Sequence, residues 1–268
     1  MLYTKLLGVS LLAVLALAGT GCSDDDNPTN TPVEANLKAI ELRFVPTFGE
    51  QPLVLGDKYV NAAGDSVMFT VLKFYASEFG LVGDDGAETA VDGIDLIDFE
   101  DAEAVSNGYY SYTVKGEPGT YRGIKFAVGV PFDQNHRDVS TQNEPLGPNS
   151  GMYWGWNPGY IFYKVEGRVD SMGMPVSFLY HTGEDNRRKT VRLATISGDN
   201  VTEFVVADSD DNVYTINVDF SKFFEKGIDP SGPMNVKMNP GERMNHVGPK
   251  DLADRTAANF AEMFSAGQ

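Results

Sequence analysis

At 268 residues, with 21 Lys+Arg against 38 Asp+Glu, the chain carries a formal net charge of −17. That field repels a polyanion, which excludes nucleic acid as a partner; an anionic bilayer surface would not attract it either, whereas cations concentrate near it. Cys22 is the one cysteine, so no intrachain disulfide forms and any soft-metal site must do without thiolate from the folded domain.

Lys5 precedes an unbroken apolar run over residues 6–18, followed by Gly19, Thr20, Gly21 and Cys22. The run is too short to span a bilayer and has the flanks of a signal peptide covering residues 1–21. Small residues directly before the cysteine resemble a lipoprotein-type processing site. This predicts acylation of Cys22 and a lipid-anchored, extracytoplasmic lipoprotein of the outer membrane, periplasmic or surface-exposed. Processing there removes Lys5 and moves the charge from −17 to −18. Residues 23–32 hold no apolar side chain to bury and belong to a solvated tether over residues 22–36. Asp24, Asp25 and Asp26 resemble the surface-export signals of Bacteroidetes lipoproteins. No linker or repeat divides residues 37–268, which are expected to form a single domain.

From Leu37 the pattern turns to alternation. Ile40, Leu42 and Phe44 oppose Glu41 and Arg43 until Pro46, which is expected to stop the first strand. Residues 67–81, rich in Val and Phe between turn signals at 63–65 and 83–86, predict one or two strands. Shorter runs at 94–99, 109–114, 124–128, 176–180, 190–196, 201–206 and 213–218 have the spacing of sandwiches and barrels. Helical periodicity comes late. Leu252, Thr256, Phe260 and Met263 or Phe264 lay one apolar stripe on a C-terminal helix, and a shorter helical turn fits 221–226 before Gly227. The expected class is all-β: a mainly antiparallel sandwich or barrel-like domain with a short C-terminal helix.

Residues 151–167 gather both tryptophans and three tyrosines. Ile161, Tyr163 and Val165 alternate with Phe162, Lys164 and Glu166 as a strand, while Gly155, Pro158 and Gly159 break the preceding stretch and put Trp154 and Trp156 on a loop at a sheet rim. Such a loop is either an aromatic plug on the core or a binding surface. In the second case Tyr153, Trp154, Trp156 and Tyr160 would form a platform for a glycan or protein partner on a metal-free surface lipoprotein.

No nucleophile elbow, H-E-x-x-H pair, phosphate loop or dinucleotide fingerprint occurs in residues 22–268, so the chain reads as non-catalytic. Asp98 and Glu100 share a strand face through alternation alone, with no catalytic reason for it. Asp208, Asp210, Asn212 and Asp219 mimic calcium-loop spacing, yet Val213 stands where that loop needs glycine, which favours a hairpin tip. Three histidines remain: His136, His181 and His246. With nine methionines they supply imidazole and thioether donors of the kind that suit copper, Cu(I) above all.

Several segments taken in order are together specific: Leu96-Ile97-Asp98-Phe99-Glu100, Tyr121-Arg122-Gly123-Ile124-Lys125-Phe126-Ala127-Val128-Gly129-Val130-Pro131, Asn135-His136, Glu144-Pro145-Leu146, Met152-Tyr153-Trp154-Gly155-Trp156, Gly159-Tyr160 and Tyr180-His181-Thr182-Gly183. Their succession resembles the MbnP-like family of methanobactin-associated copper-binding proteins. Tyr59-Val60-Asn61 and residues 71–77 resemble its early strands. The resemblance implies an antiparallel β domain binding one copper ion, Cu(I) or Cu(II), through histidines and using no organic cofactor. Some relatives carry a tryptophan oxidised to kynurenine by a partner dihaem enzyme of the peroxidase type. By motif, the ligands carry over to His136 and His181, with His246 or Met152 completing the shell. Trp154, Trp156 and Tyr160 then stand as walls or oxidisable groups, because an indole offers an N–H and no in-plane lone pair. Relatives carry paired cysteines and a tryptophan ahead of the Leu96–Glu100 motif, and here residues 87–95 have neither. Neutral imidazole is the ligand form, so occupancy is expected to fall below about pH 6.

Overall fold

Alternation along the chain builds two facing sheets. The computed structural model describes residues 36–155, 159–194, 203–246 and 250–267. The expected signal peptide, Cys22, all but the last residue of the tether, and Trp156 lie outside them. In chain order come β1 (Lys38–Phe48), β2 (Gln51–Pro52), β3 (Lys58–Val60), β4 (Ser66–Val82), β5 (Glu88–Asp98) and the short helix α1 (Ala102–Asn107). Next are β6 (Tyr110–Gly116), β7 (Gly119–Tyr121), β8 (Gly123–Val128), the single turn α2 (Phe132–Asn135), β9 (Ile161–Ser171) and β10 (Met174–Gly183). The chain finishes with β11 (Lys189–Ala194), β12 (Phe204–Val206), β13 (Asn212–Asp219), α3 (Lys250–Ala261) and β14 (Phe264–Ala266).

One sheet runs β14-β13-β1-β2 with β6 also on β1; the other runs β10-β9-β4-β8-β11 with β3 and β5 also on β4. β7 and β12 form a separate ribbon. Pairing is antiparallel except between β1 and β13. The expected mainly antiparallel, sandwich-type β fold is what forms, and the described residues cluster as one compact unit. Among the described residues no helix is long and apolar enough to cross a membrane.

β1 buries Ile40, Leu42, Phe44 and Phe48 and keeps Glu41 and Arg43 out of the core. The expected stop at Pro46 is corrected, since β1 runs on to Phe48. Thr47 accepts from Phe220 N on the β13 side, so Pro46 faces the other edge, where β6 pairs only as far as Phe44. The Pro46 carbonyl accepts from Leu53 N at 3.0 Å, and its missing N–H falls where β6 has ended and only the two-residue β2 follows, an edge position that tolerates proline. Residues 67–81 form one long strand, β4, which changes register at Phe69/Val71 and again around Glu78, at φ 51. Such bulges bend a strand and let one ribbon serve several partners.

The interior is aromatic. Phe44 meets Phe74 and Phe126 edge-on, each at 5.8 Å, contacts worth roughly 0.5–1.5 kcal/mol each beyond buried area. α3 buries Leu252, Thr256 and Phe260, and Phe260 stacks on Tyr163 at 4.3 Å. Phe264, expected on the same helical stripe, instead begins β14 and pairs with Val218. The shorter turn expected at 221–226 is a 3-10 turn at Lys222–Phe224.

Candidate metal centre

Strand alternation decides which side chains reach the outer face of the larger sheet. Along β9, Tyr163 and Val165 enter the main core, whereas Phe162 joins a second apolar cluster with Tyr75, Val130, Leu146, Met152, Trp154, Tyr160 and Ile161. Glu166 shares the Phe162 side. On β10, Tyr180 points to the core and His181 away from it, opposite Lys164 in register and diagonal to Glu166.

His181 is engaged at both ring nitrogens. Its Nε2 lies 2.6 Å from Glu166 Oε1, and its Nδ1 lies 2.8 Å from Nδ1 of His246. The carboxylate sets the tautomer: Nε2–H donates to Glu166, which leaves the Nδ1 lone pair to accept from His246 Nδ1–H. The rings are nearly perpendicular, at 83°. Burial pushes the His181 imidazole below its ordinary range; Glu166 pulls the other way, while Lys164 and His246 add to the lowering. Neutral His181 therefore persists to lower pH than a free imidazole.

Asn245 holds the pair together. It is buried, its Oδ1 accepts from His181 N at 2.7 Å, and its amide donates to Thr182 Oγ1 at 2.8 Å and Thr256 Oγ1 at 3.0 Å. Leu179 N also donates to Arg243 O at 2.8 Å, so residues 243–246 run along the free edge of β10 and carry His246 to His181. Trp154 is buried, with its ring 6.3 Å from that of His246 at 74°. Gly183 allows this approach: a Cβ there would lie 2.6 Å from Trp154 Cζ3 and 2.3 Å from Tyr160 O. Tyr160 is fully buried, accepts from Gln142 Nε2 at 2.7 Å and donates to Leu146 O. Burial pushes its hydroxyl up to about 12, so it stays protonated and acts as a wall.

His136 is placed differently. It ends α2, is half-exposed, and its Nε2 lies 2.8 Å from Asp185 Oδ2. Asn135 donates to the other Asp185 oxygen at 2.8 Å and accepts from Tyr160 N at 2.8 Å. The structure thus brings His181, His246 and Trp154 together and holds His136 on Asp185. Met152 is enclosed in the second apolar cluster. Among the described residues no group of three or more His, Cys, Asp or Glu side chains is arranged to hold a metal. The donors the fold does bring together are the two imidazoles of His181 and His246, with Glu166 behind the first.

Other sequence candidates resolve into structure. Asp98 and Glu100 both grip Lys73 at 3.0 Å. The hairpin tip expected at 208–212 is corrected to a loop between sheets, since β12 pairs with β7 and β13 with β1 and β14; Asn212 clamps that loop through Ala207, Ser209 and Ala39, and Asp208 pairs with Lys38. Of the proposed aromatic platform, Trp154 and Tyr160 are buried and offer no ring face to a partner. Glu166, Asn245 and Gly183 were missed. The signal that would have found Asn245 is the repeated dipeptide Asn135-His136 and Asn245-His246, in which each asparagine is buried and accepts from a distant backbone N–H, that of Tyr160 and that of His181.

The MbnP family profile matches residues 37–241. No curated protein matches the sequence. Among solved structures, MbnP from Methylosinus trichosporium is similar in fold, with a TM-score of 0.51 at 19% identity over 70% of this chain and 78% of that one.

Proposed function

The chain belongs to the MbnP family, and on that footing we propose that it binds copper, for acquisition or sequestration, through His181 and His246, and turns over no substrate. The observation that carries this reading is the 2.8 Å separation of the two Nδ1 atoms. Two metal–imidazole bonds of about 2.0 Å meeting near a right angle place their nitrogens about 2.8 Å apart, and imidazole suits copper. Glu166 behind His181 is the carboxylate partner that commonly orients a ligating imidazole and raises its basicity. Binding requires that the His246 proton move from Nδ1 to Nε2, which frees both Nδ1 lone pairs. The Trp154 ring stands beside His246. Trp154 is also the described tryptophan that a dihaem partner of the peroxidase type would oxidise, and a mass shift on its peptide from the native host reads this directly.

Copper stoichiometry after loading with Cu(II), which imidazole holds and thioether does not favour, and desalting tests the reading. The parent is expected to keep one equivalent, the His181→Gln, His246→Gln double variant to lose it, and His136→Gln to keep it. Full retention by the double variant rejects the pair.

The anchor is part of the same proposal. Cys22 behind small residues supports acylation at the outer membrane, which would hold the copper site outside the cytoplasm. Cys22→Ala is expected to move the protein from the membrane fraction to the soluble one; unchanged fractionation without detergent places the tether elsewhere.

A further inference from the structure

Exposed methionines gather at one place. Of the eight methionines among the described residues, Met172, Met174, Met238 and Met244 are exposed, and Met152, Met234 and Met263 are fully buried. Three of the exposed four surround Ser171 at the tip of the β9–β10 hairpin. Met172 follows it, Met174 is its cross-strand partner, and Met238 adjoins Lys237, whose carbonyl accepts from Ser171 Oγ at 3.1 Å. The fourth, Met244, lies further along the same edge, bridged to Leu179 and two residues before His246.

Neither packing nor turn chemistry accounts for this cluster. Met172 is 81% exposed, Met174 66% and Met238 59%, so their side chains contribute little to the core. Met172 and Gly173 form the two-residue turn at φ 56 and φ 80. That conformation favours Asn, Asp or Gly at its first position, so a methionine is a disfavoured choice there. What these residues share is the thioether, a soft and polarisable donor on a flexible stem that selects Cu(I) over hard or borderline ions. The charge nearby is mixed: Asp170 lies at the turn and accepts from Gly173 N at 2.9 Å, while the Arg243 guanidinium donates to the carbonyls of Val236 and Lys237 and reaches Ser171 Oγ at 3.5 Å, so a neutral soft donor set, more than local charge, would select the ion.

We infer that Met172, Met174 and Met238 form a second, surface site that captures a soft monovalent ion, Cu(I), separately from the histidine pair. The identity of the physiological ion rests on the copper reading above; the donors do not. Thioethers carry no proton at any ordinary pH and bind through sulfur alone, so the site gathers Cu(I) without the competition from protons that imidazoles meet in acid. Met244 extends the row of thioethers along the β10 edge toward His246.

The test uses protein carrying 13C-methyl methionine and silver(I), a soft ion of the same charge that undergoes no redox change. Each methyl signal is assigned by single Met→Leu replacement. The signals of Met172, Met174 and Met238 are expected to shift together and saturate at one equivalent, both in the parent and in the His181→Gln, His246→Gln double variant. Zinc(II) at the same concentration is expected to leave them in place. The Met172→Leu, Met174→Leu, Met238→Leu triple variant is expected to lose that equivalent and keep copper at the histidines. Signals that stay put, or that move with unrelated midpoints, overturn the surface site whatever the histidines do. A methyl response that survives while the parent fails to hold copper at His181 and His246 overturns the histidine reading and leaves this one standing.

Discussion

At the scale of single residues, the ligand role proposed for His181 rests on Glu166. Without the carboxylate, His181 is free to place its proton on Nδ1, and its ring loses the contact that fixes its orientation. Removing such an outer partner commonly weakens metal binding by roughly 10- to 100-fold. Glu166→Ala is expected to lower copper affinity by that factor in competition with a chromogenic chelator, while Glu100→Ala, whose carboxylate serves Lys73, leaves it unchanged. Equal affinity in Glu166→Ala and the parent contradicts the assigned tautomer. The acid limit moves with burial: because the His181 imidazole is held below its ordinary range, occupancy should decline at lower pH than the value near 6 expected for a free imidazole. None of this was legible in the strand pattern. Alternation located Glu166 on an outward face, but only the β9–β10 register sets it diagonal to His181.

At the scale of elements, the site depends on the segment 243–246 docking along β10, and Asn245 is the residue that docks it. Truncation to alanine leaves the His181 N–H without its acceptor and breaks the tie to Thr256 on α3. An unsatisfied buried group of this kind costs about 1–3 kcal/mol. Asn245→Ala is expected to lower unfolding stability by that amount in a urea titration and to weaken copper binding at the same time. A variant as stable as the parent denies the bracket. Most strands and the C-terminal helix were readable because periodicity reports burial directly. Pro46 was misread because its tolerance depends on where β6 ends, a tertiary fact, and Phe264 because helical spacing continues for a few residues past the point where β14 takes over. The pairing of His246 with His181 joins residues 65 apart, and no local pattern encodes it. His136 matched a motif equally well, yet the fold gives its ring to Asp185.

At the scale of the whole molecule, a strongly acidic chain presents an imidazole pair on the outer face of one sheet and a thioether cluster at the hairpin tip of the same two strands. The acidity concentrates cations around the protein without choosing among them, and the donors make the choice. Family membership was legible in the ordered motifs of residues 96–183, because close approaches such as Gly183 against Trp154 demand particular residues. The central claim is that copper sits between His181 and His246. The most direct measurement is anomalous diffraction at the copper edge from crystals of the copper-loaded protein. One strong peak within about 2 Å of both Nδ1 atoms is the result expected for imidazole ligands, and a peak on His136 and Asp185 with none between His181 and His246 would contradict the account.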